Sequence, residues 1–188
     1  LPWLDNAHGL DNERIDALIY RIEALTRLGR HDQAEEAYYP AQQIAPEHPE
    51  IYAAMAESLL ARDLHEKAVW CLREAARLDP TLPRVEAKLA EAYARTGRLE
   101  RARQLYLREL RRDAGNVETL LDLGELLLDM HRDAEASEKF RRVLELEPDN
   151  ADAHFNLGRL ASSLGDRAEA TRQFDLVVRL DPSYPSAR

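Results

Sequence analysis

Residues 151–184 read ADAHFNLGRLASSLGDRAEATRQFDLVVRLDPSY, and features of this stretch return every 34 residues toward the N-terminus. One position holds alanine in all five copies: Ala34, Ala68, Ala102, Ala136 and Ala170. Another position is always large and apolar: Tyr38, Leu72, Tyr106, Phe140 and Phe174. Such regular spacing indicates a repeat protein, in which each unit packs only against its neighbours.

Each copy is predicted to hold two helices. In the fourth copy Leu120, Leu123, Gly124 and Leu127 follow the i, i+3, i+4, i+7 spacing of a helix with one apolar side. A row of small residues lets the two helices of a copy approach closely, and only Ile22 departs from it: Ala56, Ala90, Gly124 and Gly158. A proline that stops a helix ends every copy except the third, which has Ala114 there: Pro46, Pro80, Pro148 and Pro182.

The last copy resembles the tetratricopeptide repeat (TPR) through Asn156-Leu157-Gly158, Leu164-Gly165-Asp166, Ala170, Phe174 and Leu180-Asp181-Pro182. The resemblance covers residues 15–184 as five consecutive 34-residue units, at 15–48, 49–82, 83–116, 117–150 and 151–184. It implies an all-α fold, a right-handed superhelical α-solenoid of antiparallel helix hairpins. It also implies a non-catalytic scaffold or adaptor that binds proteins or peptides in a concave groove.

Two segments lie outside the units. Residues 1–14 form an N-terminal non-repeat segment, in which Trp3 either covers the first hairpin or belongs to a disordered linker. Residues 185–188 form a C-terminal tail, which we expect to be truncated from a longer chain. The last hairpin would then leave Leu176, Val177 and Val178 with an exposed side, open to self-association into a homo-oligomer.

Composition, charge and the lack of catalytic motifs disfavour several classes of function. A formal net charge of −9 and a pI near 5.2 disfavour nucleic acid as the partner. We expect no membrane insertion, because no apolar run is long enough to span a bilayer. The histidines are scattered and no phosphate-binding loop or nucleophile motif occurs, so we expect no enzyme activity, metal site or cofactor. The single cysteine, Cys71, favours the cytoplasm, and a periplasmic location stays open.

Acidic residues recur on the side of the first helices that lines the groove in TPR proteins. One row is Glu23, Glu57, Glu91, Glu125 and Arg159, and a neighbouring row is Asp16, Glu50, Arg84, Glu118 and Asp152. An electronegative groove would attract a basic, extended peptide, most strongly at low salt. Phe155 is either an apolar anchor for this partner or a core residue. Only Lys88 and Asn156 suit the carboxylate-binding positions of chaperone-binding TPR proteins, so we do not expect that function.

The alternative interpretation of these acids is a solvated helix face. Glu23 and Glu91 each precede an arginine by four residues, Arg27 and Arg95, and could form intrahelical pairs. Glu57 and Glu125 have no such partner and are the stronger candidates. Two other functions also stay open, a self-assembling scaffold and the substrate-recruiting arm of a larger enzyme.

Two further expectations concern the second helices. Pro40 falls inside the second helix of the first unit and predicts a kink or break there. Trp70 and Cys71 fall outside the packing stripe of their helix, so they mark either a contact patch or an ordinary exposed surface.

Overall fold

The computed structural model describes residues 2–82 and 84–184, and in these ranges it describes the side chains from residue 13 onward. These residues form ten α-helices and no strand. The helices are α1 Pro2–Arg27, α2 His31–Ile44, α3 Pro49–Leu60, α4 His65–Leu78, α5 Val85–Arg95, α6 Leu99–Arg112, α7 Val117–Asp129, α8 Asp133–Leu146, α9 Ala151–Ser163 and α10 Arg167–Leu180. The odd-numbered elements are the first helices of the repeats, and the even-numbered elements are the second helices.

Two compact units divide the chain. Unit 1, Leu1–Arg98, holds α1 to α5, and unit 2, Leu99–Arg188, holds α6 to α10. In unit 1, α1 packs on α2 and α3, and α4 packs on α3 and α5. In unit 2, α7 packs on α6 and α8, and α9 packs on α8 and α10. The division falls inside the third repeat, in which Ala114 replaces the helix-stopping proline.

Every hairpin turns through a residue with positive φ, again spaced by 34 positions. Glycine holds this place in three repeats, at Gly29, Gly97 and Gly165, whereas Asp63 and His131 hold it in the other two with φ of 56°. The next backbone N–H donates to the carbonyl five residues earlier, as from Arg132 to Leu127 at 2.8 Å. This bond is the Schellman motif, which satisfies carbonyls at the end of the first helix.

The substitution His131→Gly is expected to raise the free energy of unfolding by about 0.5–1 kcal/mol, because side chains with a Cβ atom are strained in the left-handed conformation. Urea unfolding followed by circular dichroism measures the change. The converse variant Gly165→His, at the same repeat position, should lower stability by a similar amount. An unchanged or lower urea midpoint for His131→Gly would contradict the expectation.

The 34-residue rows form the interior of both units. The alanine row is almost completely inaccessible, with Ala34, Ala68, Ala102 and Ala136 at 0% exposure and Ala170 at 6%. Tyr38, Leu72, Tyr106 and Phe140 are also buried, while Phe174 in the last hairpin is half-buried. Burial of apolar surface at these repeated positions is the main stabilising contribution within each unit.

Of the kink or break predicted at Pro40, the break does not occur, because α2 continues through this residue from His31 to Ile44. Pro40 cannot donate to the carbonyl of Glu36, which is therefore left free. Both Pro40 and Glu36 are exposed, so water can bind this carbonyl and the helix does not need to end.

Expectations at the two ends have mixed outcomes. The backbone of the non-repeat segment belongs to α1 from Pro2 onward, while the side chain of Trp3 and residues 185–188 lie outside the described residues. On α10, Val178 is 44% exposed, but Val177 is fully buried, so its predicted exposure is wrong. Val177 lies on the side of α10 that packs on α9 within the same hairpin.

Candidate functional site

The first helices of unit 1 carry five of the predicted binding residues. Asp16 and Glu23 lie on α1, Glu50 and Glu57 on α3, and Glu91 on α5. Each pair on one helix is separated by seven residues, about two helical turns, so both side chains lie on the same side. Asp16 and Glu91 are exposed, whereas Glu23, Glu50 and Glu57 are half-buried.

Unit 2 carries the remaining six predicted residues on α7 and α9. Glu118, Glu125, Asp152 and Arg159 are exposed, Phe155 is half-buried and Asn156 is buried. The six lie on two neighbouring first helices that contact each other. The acids here are accompanied by a cation, the guanidinium group of Arg159.

A repeated bond joins neighbouring first helices. In unit 1 the ammonium group of Lys88 on α5 forms an ion pair with Glu57 on α3. In unit 2 the Asn156 amide on α9 donates to Glu125 Oε1 on α7 at 3.2 Å. Both contacts span 31 residues, because the repeat brings position i+31 beside position i. Lys88 thus lies beside the acidic residues of the first helices but belongs to neither predicted row, and only the 31-residue spacing would have revealed its partner.

The predicted roles of the four glutamates are reversed by these contacts. Glu57 and Glu125, which have no arginine four residues on, are bound from the next first helix. Glu23 and Glu91, for which intrahelical pairs with Arg27 and Arg95 were one interpretation, make no hydrogen bond or ion pair with any residue that the structure describes. Asp16 also has no such bond within the described residues. Of the five predicted carboxylates of unit 1, those open to a partner are therefore Asp16, Glu23 and Glu91.

Two further side chains lie beside the acidic residues of unit 1, those of His48 and Tyr20. The Glu50 carboxylate lies 2.8 Å from Nδ1 of His48, the residue that precedes the first turn of α3. On α1, the ring of Tyr20 is 69% exposed and stands three residues before Glu23, on the same side of the helix. A phenol ring and a carboxylate side by side can together hold a cationic side chain.

Phe155 is packed by its own hairpin. Its ring lies 5.8 Å from that of Phe174 and 5.1 Å from that of Tyr184. The Tyr184 hydroxyl donates to Asp152 Oδ1 at 2.6 Å, and burial, followed by this hydrogen bond, raises the pKa of Tyr184. These contacts favour the core role for Phe155 over that of a partner anchor.

Asn156 is a buried polar side chain, 2% exposed, with all of its groups engaged. Its amide donates to Glu125 and to the Asp152 carbonyl, and its oxygen accepts from Arg159 at 3.1 Å. Asn156 therefore positions α9 relative to α7 and holds Glu125, since buried polar groups are stable only when hydrogen-bonded.

Metal-binding clusters of His, Cys, Asp and Glu are absent from the described residues. Among the helices of those residues, none has the length and apolar character required to cross a membrane. The Cys71 thiol is buried in α4, contrary to the expected surface position, and burial raises its pKa to about 12. At neutral pH this thiol is protonated and a poor nucleophile.

Comparison with protein families gives three matches, all described as tetratricopeptide repeat. They cover residues 15–58, 87–118 and 121–185. Together with the five helix hairpins, these matches establish that the chain belongs to the tetratricopeptide repeat family. No curated protein sequence matches the chain.

Solved structures of the same fold agree over nearly the whole chain. YrrB, described as a TPR protein with an unusual peptide-binding site, is 18% identical, with a TM-score of 0.74 over 96% of this chain and 94% of its own. MamA from Desulfovibrio magneticus RS-1 is 16% identical, with a TM-score of 0.81 over 92% and 97%. Pseudomonas aeruginosa pilF is 24% identical, with a TM-score of 0.77 over 90% and 77%. At these identities the likeness shows the fold.

Proposed function

We propose that the protein is a protein-interaction scaffold whose first helices in unit 1 bind an extended, basic peptide or protein segment. The observation that carries this proposal is the set of carboxylates at Asp16, Glu23 and Glu91, which form no hydrogen bond or ion pair with any described residue. Glu50 and Glu57 extend the same rows. TPR proteins bind protein or peptide partners, and the peptide-binding site described for YrrB supports this class of function.

The charge balance of this surface favours a cationic ligand. Its rows hold five carboxylates, and the cations at the corresponding positions are Lys88, already paired with Glu57, and Arg84. A basic partner would bring the missing positive charge close to the acidic side chains. Because the screening length is about 8 Å at physiological ionic strength, this attraction acts at short range and weakens with added salt.

Tyr20 supplies a second reason to expect a cation. An arginine or lysine placed beside Glu23 would also lie over or against the exposed Tyr20 ring, and a cation on an exposed ring gains about 0.5–1 kcal/mol. Glu23 and Tyr20 therefore form the most specific part of the proposed surface. Glu91, at the same repeat position on α5, gives a second place for a basic side chain.

The predicted binding residues of unit 2 are less available to a basic ligand than those of unit 1. Glu125 and Asp152 already accept bonds from Asn156 and Tyr184. Phe155 is packed by two rings, and Arg159 carries a charge that would repel a basic ligand. Glu118 completes the set as an exposed carboxylate on α7.

The double variant Glu23→Arg/Glu91→Arg is expected to weaken binding of a basic peptide at least about fivefold, which corresponds to about 1 kcal/mol. The probe is a fluorescein-labelled dodecapeptide of alternating arginine and serine, titrated into the full chain and followed by fluorescence anisotropy. A dodecapeptide of alternating glutamate and serine serves as the ligand control. Affinity of the natural chain for the basic peptide should fall as salt is raised.

A matched protein control separates a specific surface from net charge alone. The variant Glu36→Arg/Asp175→Arg makes the same charge change at exposed positions of second helices. It should retain most of the affinity of the natural chain. Equal losses in both double variants, or no loss in either, would overturn the assignment of the first-helix surface.

Self-association stays a second candidate because Val178 and Leu180 on α10 are 44% and 36% exposed. Light scattering at high concentration separates the two functions. An oligomer that survives Glu23→Arg/Glu91→Arg but dissociates on Val178→Asp would favour assembly over peptide binding. A role as the recruiting arm of a larger enzyme would use the same peptide surface.

A further inference from the structure

Unit 1 also has a surface cleft whose features neither the fold nor the proposed function explains. It opens between the second helices α2 and α4, and its volume is about 250 Å³. Met55 and Leu59 of α3 and Cys71 of α4 supply apolar lining, while Tyr39 and Trp70 are its exposed aromatic residues. Because sites for small organic ligands usually enclose 300–1,000 Å³, this cleft has the size for one or two side chains of a partner protein.

The aromatic residues of the cleft are exposed and held in place. Tyr39 and Trp70 are 52% and 51% exposed. Edge-on contacts connect Tyr39 to Tyr38, Tyr38 to Tyr52 and Tyr52 to Trp70, at centroid distances of 5.6, 6.2 and 5.8 Å. Large rings fixed by their neighbours lose little conformational entropy on binding, which is why such residues often carry the energy of interfaces.

The repeat itself shows that the fold does not require these rings. The position of Trp70 is polar in every other repeat: Glu36, Gln104, Glu138 and Arg172. The position of Tyr39 holds no other aromatic residue: Arg73, Leu107, Arg141 and Asp175. Among the second helices of the described repeats, two exposed aromatic residues therefore occur together only on this face of α2 and α4.

Unit 2 contains the equivalent cleft with different chemistry. That cleft lies between α8 and α10. The positions that line both clefts differ by 102 in residue number, which is three repeats. Arg141 replaces Tyr39, Glu169 replaces Lys67 and Gln173 replaces Cys71. The unit-2 cleft is thus an internal control, with the same backbone arrangement but without the aromatic wall and with reversed charge at one rim position.

The unpaired charged group at the unit-1 cleft is a cation, the ammonium group of Lys67. Its only lining carboxylate, Glu35, accepts from the Tyr39 hydroxyl at 3.0 Å and from Arg62 at 3.1 Å. The exposed ammonium group of Lys67 makes no hydrogen bond or ion pair with any described residue. A ligand with a carboxylate beside its apolar side chain would supply the missing partner.

The cleft is also lined by a residue whose buried hydrogen-bond donor is unused. Tyr38 lines it and is only 6% exposed, yet its hydroxyl has no hydrogen-bond partner among the described residues. A buried hydroxyl without a partner is destabilising, so an acceptor atom that reached this group would be favourable. The observations that point to a ligand in the cleft are the exposed rings and the unpaired ammonium group of Lys67.

We propose that this cleft binds a peptide segment in which a large apolar residue is flanked by aspartate or glutamate. The apolar side chain enters between Tyr39 and Trp70, and the neighbouring carboxylate pairs with Lys67. The groups that recognise the ligand, Tyr39, Lys67 and Trp70, lie on second helices and select an acidic ligand, so the site is distinct from the basic-peptide surface of the first helices.

The test uses two labelled peptides of the same length, Ser-Glu-Asp-Phe-Leu-Glu-Asp-Ser and Ser-Lys-Lys-Phe-Leu-Lys-Lys-Ser. Both are titrated into the full chain by fluorescence anisotropy, and two-dimensional NMR identifies the residues affected. The acidic peptide is expected to bind and to shift the indole signal of Trp70, assigned in a Trp3→Phe background. Trp70→Gln, which installs the residue of the third repeat, and Lys67→Glu, which copies Glu169, should each weaken binding at least about fivefold.

Two controls accompany these variants. Arg141→Glu changes charge at the unit-2 cleft and should leave binding unchanged. Glu23→Arg/Glu91→Arg alters the first-helix surface and should not weaken the acidic peptide, so the failure of one site is distinguishable from that of the other. Circular dichroism and the urea midpoint verify that each variant is folded.

Several results would overturn the proposal. These are no binding of the acidic peptide up to millimolar concentration, a shift of the Trp70 indole signal by the lysine peptide as large as that by the acidic peptide, or binding of the acidic peptide that is insensitive to Trp70→Gln. If sedimentation instead shows a dimer that dissociates on Trp70→Gln, the cleft is occupied by a second copy of the chain, and the peptide assignment is wrong.

Discussion

The variant Phe140→Ala is expected to lower the free energy of unfolding of unit 2 by about 3–5 kcal/mol, the range for removing a fully buried phenylalanine. Phe140 has 0% exposure and is the largest fully buried side chain among the described residues. Its ring packs from α8 against the Gly124 backbone on α7. Alanine would leave a cavity at this helix contact, and the surrounding helices can only partly close it.

Urea unfolding of the full chain measures this loss, and native-state hydrogen exchange shows whether it is confined to unit 2. Localisation matters because repeat proteins can unfold in parts, so that one transition need not describe the whole chain. Phe174→Ala, at the same repeat position but half-buried, is the matched control and should cost clearly less. Equal losses for the two variants would mean that burial does not set the contribution of this position.

The variant Gly124→Ala is expected to destabilise the protein by a net amount of about 1–2 kcal/mol, although alanine is the better helix former. Helix propensity favours alanine by up to about 1 kcal/mol, whereas overpacking a core typically costs about 1–3 kcal/mol. The added methyl group would lie 2.7 Å from Cζ of Phe140 and closer still to Cε1. A ring that is completely buried has little freedom to move away.

A second substitution tests whether the ring is the cause. The double variant Gly124→Ala/Phe140→Leu reproduces the combination of Ala56 and Leu72 in the second repeat, so leucine should relieve the clash. In a double-mutant cycle the two changes should be less destabilising together than the sum of the single losses. Gly158→Ala, facing the half-buried Phe174, should cost less than Gly124→Ala. Strict additivity in the cycle would exclude steric coupling between Gly124 and Phe140.

Most of the interior could be predicted from the sequence because the repeat marks it five times. The alanine row and most of the large apolar row are buried, as their spacing indicates. The exceptions have local causes. Pro40 did not break α2, since its unpaired carbonyl neighbour faces solvent, and Val177 is covered by its own hairpin rather than by a following one.

The candidate binding surface could be predicted only in part. The sequence placed Glu23, Glu57 and Glu91 at one repeat position, but it ranked Glu57 as more available than Glu23 and Glu91. This ranking considered partners within the same helix, whereas Lys88 reaches Glu57 from the next first helix. The exposed Tyr20 ring beside Glu23 was not among the predicted binding residues.

The sequence by itself determined the repeat, the helix pairs and the residues that form the interior. These features depend on contacts within one hairpin, which recur at fixed spacing along the chain. The tertiary structure decided which carboxylates remain unpaired, and it brought Tyr39, Trp70 and Lys67 to one cleft. Those arrangements depend on how side chains from neighbouring hairpins meet, and the separations involved, about 30 residues, are bridged only when the helices pack.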